Sequence, residues 1–400
     1  MSASIEPLPR QRIASIDLLR GLVMVIMALD HVRDYFGQGS FANDPMDLGT
    51  TTPALFFTRW ITHFCAPVFV FLSGTSAFLY GSRAASTAVL SRFLWTRGLW
   101  LIVMELTVIR LGWTFDLSYQ LSILQVIWAI GVSMVVLAAL VHLPRLAIAG
   151  VGGLLVAGHN LLDPVHRDGT DALSVLWQIL HQGTFLPLGE NGAGILVAYP
   201  VLPWIGLMAL GYVFGGLYAG SVDVLVRRRT LIIMGGSAVA AFLLIRGLNG
   251  YGDPAPWSGQ AQGITTFLSF LKVTKYPPSL AYVLMTIGPA MLFLAWSEQW
   301  RGRLTEALVT IGRVPFFYYI AHLYLIHALA FIGLAVQGFP LSHMVITPSI
   351  LFSDVLLAYG YPLWVVYAVW IVVVLLLYPL CRWYGNYRAG NRDKWWLSYL

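Results

Sequence analysis

Ten apolar runs recur along this 400-residue chain, at roughly 13–36, 54–80, 93–111, 120–141, 145–162, 196–218, 230–248, 279–297, 307–336 and 362–383. Most approach or exceed the roughly 20 residues that a helix needs to cross the hydrocarbon of a bilayer. Inside lipid a segment must satisfy its own backbone amides, so runs of this length read as helices rather than open strands. Composition removes the alternatives. The chain is 58% hydrophobic and 10% charged, against roughly a quarter charged for a soluble protein, so too little polar surface exists to wrap a soluble body. Disorder and coiled coil fail on the same excess of apolar residues, and a disulfide scaffold fails because only Cys65 and Cys381 are present. The expected fold is an all-α, polytopic integral membrane protein of about ten transmembrane helices. One domain spans 13–383, between short tails at 1–12 and 384–400.

The net charge of +6 does not indicate a nucleic-acid partner, because the charges alternate between loops. One side holds Arg10, Arg12, Arg83, Arg92, Arg97, Arg145, the run Arg227 to Arg229, Arg301 and Arg303, with Arg382, Arg388, Arg392 and Lys394 in the tail. The other holds Asp44, Asp47, Asp116, Asp163, Asp168, Asp171, Glu190, Asp253 and Asp354, with Arg167, Lys272 and Lys275 as exceptions. By the positive-inside pattern both termini face the cytoplasm. No cleavable signal is expected, since charge interrupts the first apolar segment. Glycines at 150, 152, 153 and 158, and at 211, 215, 216 and 220, suit close helix packing. Two long loops, 163–195 and 249–278, are rich in Gly, Pro, Trp and Tyr and read as an ordered lid or an interfacial belt.

The first apolar segment carries the chemistry. It contains Asp17, Arg20, Asp30, His31, Arg33 and Asp34, and each charge near a helix centre costs roughly 2.5–3.5 kcal/mol on insertion. Charges that costly face a cavity or a partner. At about 100° per residue, Arg20 and His31 differ by only about 20° around the axis and stand roughly 16 Å apart along it. Asp17 lies one turn before Arg20 and Asp34 one turn after His31, while Asp30 and Arg33 point elsewhere. A histidine beside a carboxylate suits a general base, and an arginine suits a phosphate. A substrate with a phosphorylated head and a reactive end on a long thin arm fits both stations, and acyl-coenzyme A has that shape. The structural alternative is that Asp17–Arg20 and His31–Asp34 are neutralising pairs.

The segment Ser15 to His31, with its Arg20-x10-His31 spacing, resembles the first-helix signature of transmembrane acyltransferases, including the membrane O-acyltransferases of surface polysaccharides. More closely, the chain resembles the bacterial branch related to heparan-alpha-glucosaminide N-acetyltransferase. That likeness runs through His63 to Gly74, Glu105 to Arg110, Tyr199 to Trp204, Lys275 to Ser279 and Arg313 to His322. The resemblance implies transfer of an acyl group, usually acetyl, from cytoplasmic acyl-coenzyme A to a sugar on the far side. It places Arg20 on the coenzyme phosphates and makes His31 the base or acyl carrier. In the lysosomal enzyme an asparagine matches His31 and the essential histidine falls near Ala42, so His31 follows the O-acyltransferase pattern and the acceptor atom, amine or hydroxyl, stays open.

The expected catalytic set is therefore His31, Asp34 and His63, with Arg20 and Asp17 binding the coenzyme. Glu105, Arg313, Tyr318 and His322 are expected to line the substrate. His63, four residues before a kinking Pro67, either serves acceptor or proton or is a buried histidine on a carbonyl. Glu105 and Arg110 do not share a face, so Glu105 needs a partner from another helix, with Arg33 or a histidine the candidates. His322 and His327 are five apart, on different faces, and no metal is expected. The function expected is an acyl-CoA-dependent transferase acting on a sugar or glycolipid in the bacterial cytoplasmic membrane, with membrane lipid and a homodimer as further partners. A proton-coupled transporter or glycolipid flippase using the same charged cluster is the alternative.

Overall fold

The computed structural model describes residues 14–400 apart from 42, 190, 191, 392, 395, 396 and 398–400. The expected tail 1–12 with Arg10 and Arg12, and Ala42, Glu190 and Arg392, lie outside the described residues.

Each of the ten apolar runs contains a helix, and most are interrupted or extended. Helix α1, Ala14–Phe36, is continuous. The second run is two helices, α2 (Pro53–Thr62) and α3 (Cys65–Gly81), broken at His63 and Phe64. Pro67 lies in the first turn of α3 and supplies no amide to bridge the break. Thr52 caps α2 by accepting from the Leu55 amide, with Pro53 at the first helical position. The third run starts early, at α4 (Thr87–Met104), widens into a π-turn at Glu105–Ile109 and ends as α5 (Arg110–Thr114).

The fourth and sixth runs open as short strands within an otherwise helical chain. β1 (Leu121–Leu124) precedes α6 (Val126–Leu140). After α7 (Arg145–Gly158) and α8 (Ala172–Trp177) come β2 (Phe185–Pro187) and β3 (Gly194–Val197). β3 lies centrally, parallel to β1 with Leu121 opposite Gly194 and antiparallel to β2 with Phe185 opposite Leu196. Such short apolar stretches read equally as strand or helix end, and only pairing between distant segments selects the strand. The rest is helical: α9 (Leu202–Phe214), α10 (Val224–Leu248), α11 (Gly263–Leu271), α12 (Leu280–Ser297), α13 (Arg303–Gly312), α14 (Pro315–Val336), α15 (Pro348–Leu351) and α16 (Leu363–Gly390).

Six stretches among the described residues are helical, long and apolar enough to cross a membrane: 53–81, 145–162, 224–248, 280–297, 315–336 and 363–390. α10 and α16 bury few side chains and turn Leu243, Leu244, Ile371, Leu375 and Leu376 outward, as a lipid-facing surface does. α1 is the opposite case: buried along most of its length, it packs against α2, α3, α12, α13, α14 and α16. That enclosure is what makes its charges tolerable. The last helix continues to Gly390, beyond the boundary expected at 383, and Leu397 packs against the body at 2% exposure.

Candidate active site

Arg20 sits where α1 touches α13. A Cβ on Gly21 would collide with the Leu308 carbonyl, and one on Gly312 with the Asp17 carbonyl, so glycine at both positions lets the two backbones meet. The Arg20 guanidinium then reaches Asp17 Oδ1 at 3.1 Å, the Gly312 carbonyl at 3.3 Å and Ser76 Oγ at 3.1 Å. The Asp17–Arg20 pair of the structural alternative is present.

From Arg20 opens a cavity of about 1220 Å³. Among the described residues its lining carries six cations, Arg20, Arg97, Arg313, Arg382, Arg388 and Lys394, and a single carboxylate, Asp17. Arg388 is held by the Arg313 carbonyl at 2.8 Å and Lys394 by the Tyr387 hydroxyl at 2.8 Å. Beyond these charges the walls become apolar, with Met24, Leu101, Val126, Ile127 and Ile130, and reach Tyr319. The break between α13 and α14 places Arg313 at the mouth and Tyr319 further in.

His31 stands just past Tyr319, ring centroids 6.3 Å apart, with Trp113 edge-on at 4.7 Å. Its partner is His322, not Asp34. Nδ1 of His31 lies 2.7 Å from Nε2 of His322 and the rings stack at an interplanar angle of 13°. Nδ1 of His322 lies 2.9 Å from the Tyr318 carbonyl. A carbonyl only accepts, so that nitrogen carries the proton and Nε2 of a neutral His322 must accept. His31 therefore donates through Nδ1, which leaves its Nε2 as the nitrogen with a free electron pair. Asp34 turns instead to Arg33, and its side chain is 40% exposed.

Asp30, which the helical wheel sends away from the stripe, is the hub of a second charged group. It receives Arg59 Nη1 at 2.6 and 2.8 Å, Arg33 at 2.9 Å and the Thr62 hydroxyl at 2.9 Å. Lys275 is buried close enough to act on it electrostatically.

The remaining candidates are enclosed rather than cavity-lining. Glu105, in the π-turn, accepts from the Trp128 amide at 2.8 Å and so caps α6; its partner is a helix N-terminus, not Arg33 or a histidine. Arg110 binds Asp116 Oδ2 at 2.7 Å and the carbonyls of Asp116 and Leu121 at 2.6 and 2.8 Å. Burial raises the Asp116 carboxyl, but Ser118, the Gln120 amide and Arg110 outweigh it and hold it below its ordinary range. Tyr318 stacks on His322 at 5.3 Å without facing the cavity. His63 fills the break between α2 and α3, its ring 5.3 Å from Tyr282, whose hydroxyl donates to the His63 carbonyl. Of the four expected lining residues, Arg313 lines the cavity; Glu105, Tyr318 and His322 do not.

Sequence reasoning missed Trp113, Tyr319, Arg59 and the Arg97, Arg382, Arg388 and Lys394 group as site residues. Arg59 had a legible signal, a lone cation inside an apolar run. The mouth cations follow the topology pattern, and nothing local separates a binding arginine from a topological one.

Residues 12–248 match the family model described as heparan-alpha-glucosaminide N-acetyltransferase, catalytic. No curated protein matches the chain.

Proposed function

The chain belongs to the heparan-alpha-glucosaminide N-acetyltransferase catalytic family, a family of transmembrane acetyltransferases, and we propose that this integral membrane protein transfers an acetyl group from acetyl-coenzyme A to a sugar or glycolipid presented on the opposite side of the bacterial cytoplasmic membrane. One observation carries the reading: a single cavity has a cationic mouth and an apolar throat that ends one side chain short of the paired histidines. The phosphates of the donor bind at the mouth, with Arg20, Arg313 and Arg388, on the cytoplasmic side. Its pantetheine arm lies along α1 among Met24, Ile127 and Ile130, and the thioester reaches His31 past Tyr319.

In this reading Nε2 of His31 takes the proton from the acceptor hydroxyl or amine as that atom's electron pair attacks the thioester carbonyl. The carbon–sulfur bond breaks, and the proton leaves with the coenzyme thiol. His322 holds the tautomer that keeps Nε2 unprotonated, the role first expected of Asp34. Asp17 positions Arg20. The family match weighs against the transport reading, since a carrier needs no site for a nucleotide.

Calorimetry on the detergent-purified protein tests this directly. Saturable acetyl-coenzyme A binding that weakens in Arg20→Ala but survives in His31→Ala is the expected result. A folded wild-type protein silent to acetyl-coenzyme A and to longer acyl donors would sink the proposal and favour the carrier.

A further inference from the structure

At the far end of α7, away from the cationic cavity, His159, Asp163 and His181 bring one donor atom each within 4.8 Å of one another. Nδ1 of His159 lies 3.3 Å from Nε2 of His181, and that Nε2 lies 3.5 Å from Asp163 Oδ1. Two ligands bound to zinc at about 2.05 Å in a tetrahedral arrangement stand about 3.3 Å apart. Both separations are thus close to the edge of a zinc tetrahedron. We propose that His159, Asp163 and His181 bind one divalent transition-metal ion of the zinc class.

The chemistry of the donors supports this choice. Imidazole nitrogen and carboxylate oxygen suit zinc and its first-row neighbours, and two histidines with one carboxylate leave a fourth position for water. The His181 Nε2 also lies 3.0 Å from the His159 carbonyl. The ring nitrogen and carbonyl of His159 and the carboxylate of Asp163 therefore all lie within 3.5 Å of His181 Nε2. A single proton on Nε2 serves that carbonyl well but leaves the ring nitrogen of His159 and the carboxylate facing it at longer range; a dication attracts all of them.

The surrounding residues hold the donors in place, as supporting partners do in metal sites. Asn160 donates to Asp163 Oδ2 at 2.8 Å and accepts from the Leu280 amide at 3.0 Å, which ties the carboxylate to the start of α12. Trp177 stacks on His181 at 5.2 Å. His159 and His181 are buried, and Asp163 is half-buried. His159 opens the 3₁₀ turn after α7 and His181 sits in the π-turn after α8, 22 residues later. That spacing hid the group from motif reading. A metal here fastens the loop containing α8, β2 and β3 to the end of α7.

The test uses the tag-free full-length protein in detergent, stripped with chelator and titrated with Co²⁺ alone. The expected result is one equivalent with the intense visible absorption of tetrahedral cobalt, displaced by Zn²⁺. His181→Gln and Asp163→Asn, each checked by size-exclusion elution and circular dichroism, are expected to weaken cobalt binding at least tenfold. Failure of the wild-type protein to bind cobalt with those bands overturns the site. So does unchanged binding in both folded variants. Neither result bears on acetyl-coenzyme A at the other cavity, so this proposal and the proposed function fail separately.

Discussion

Nδ1 of His31 and Nε2 of His322 face each other at 2.7 Å from positions 291 residues apart. Because His322 also meets the Tyr318 carbonyl, the pair is a directional relay whose last free electron pair belongs to His31.

That direction makes the identity of residue 322 testable. His322→Ala removes the acceptor for His31 Nδ1 and lets the tautomer drift, so turnover is expected to fall roughly 100-fold, within the range general-base catalysis supplies. KM for acetyl-coenzyme A should stay near wild type. Glutamine at 322 still offers an oxygen to Nδ1, and His322→Gln should recover part of the loss. A folded His322→Ala protein with wild-type turnover would show that His31 needs no such orientation.

The cationic mouth predicts a dependence on charge and on salt. Arg313→Glu and Arg388→Glu, taken separately, should each weaken acetyl-coenzyme A binding about tenfold, equivalent to about 1.4 kcal/mol. Raising ionic strength from about 0.1 M to about 1 M shortens the screening length to about 3 Å and should weaken wild-type binding more than that of either variant. Calorimetry at two salt concentrations reads both effects; salt-independent binding would place the phosphates elsewhere.

Close approach of α1 and α13 predicts a steep packing penalty. Gly312→Val inserts carbon against the Asp17 carbonyl, and overpacking of this kind costs about 1–3 kcal/mol. It should lower the unfolding temperature and displace Arg20. Gly153→Ala meets nothing within 4 Å and should not destabilise, since alanine is favoured over glycine inside a helix by about 1 kcal/mol. Thermal unfolding followed by tryptophan fluorescence separates the two, and equal effects would count against the packing argument.

The Asp30 hub gives a double-mutant test. Asp30→Asn strands Arg59 without its carboxylate, while Arg33 keeps Asp34, and breaking a buried pair costs about 3–5 kcal/mol. Adding Arg59→Gln removes that stranded charge, so the double variant should be more stable than Asp30→Asn alone. If the two substitutions simply add, the Arg59–Asp30 bond contributes little.

Much of the architecture was readable because insertion in lipid depends on local apolarity, and that is a property of sequence windows. α1 ends at Phe36 as read, and each later run contains its helix. What windows do not contain is pairing at a distance. Leu121–Leu124 is a strand because Gly194–Val197 lies beside it, and Glu105 caps α6 because the π-turn carries it there. The helical wheel put Arg20 and His31 on one stripe and Asp30 off it. It could not foresee that α2 would return with Arg59 to make Asp30 a second centre. Helix α16 was cut short for a related reason: apolarity stops near 383, while its polar last turns continue along the cavity to Arg388 and Ala389.

The charged α1 also constrains how the protein is assembled. Arg59 can neutralise Asp30 as soon as α2 is made, but the Gly312 carbonyl that holds Arg20 and the imidazole that holds His31 lie 292 and 291 residues further along. During synthesis α1 must therefore wait, half-matched, while most of the bundle is built around it. Its sequence suits a chaperoned or water-lined holding position better than free lipid, and a ribosome stalled before residue 313 would leave it there. Arg20 has Asp17 and Ser76 early, but His31 acquires its imidazole partner only when α14 arrives.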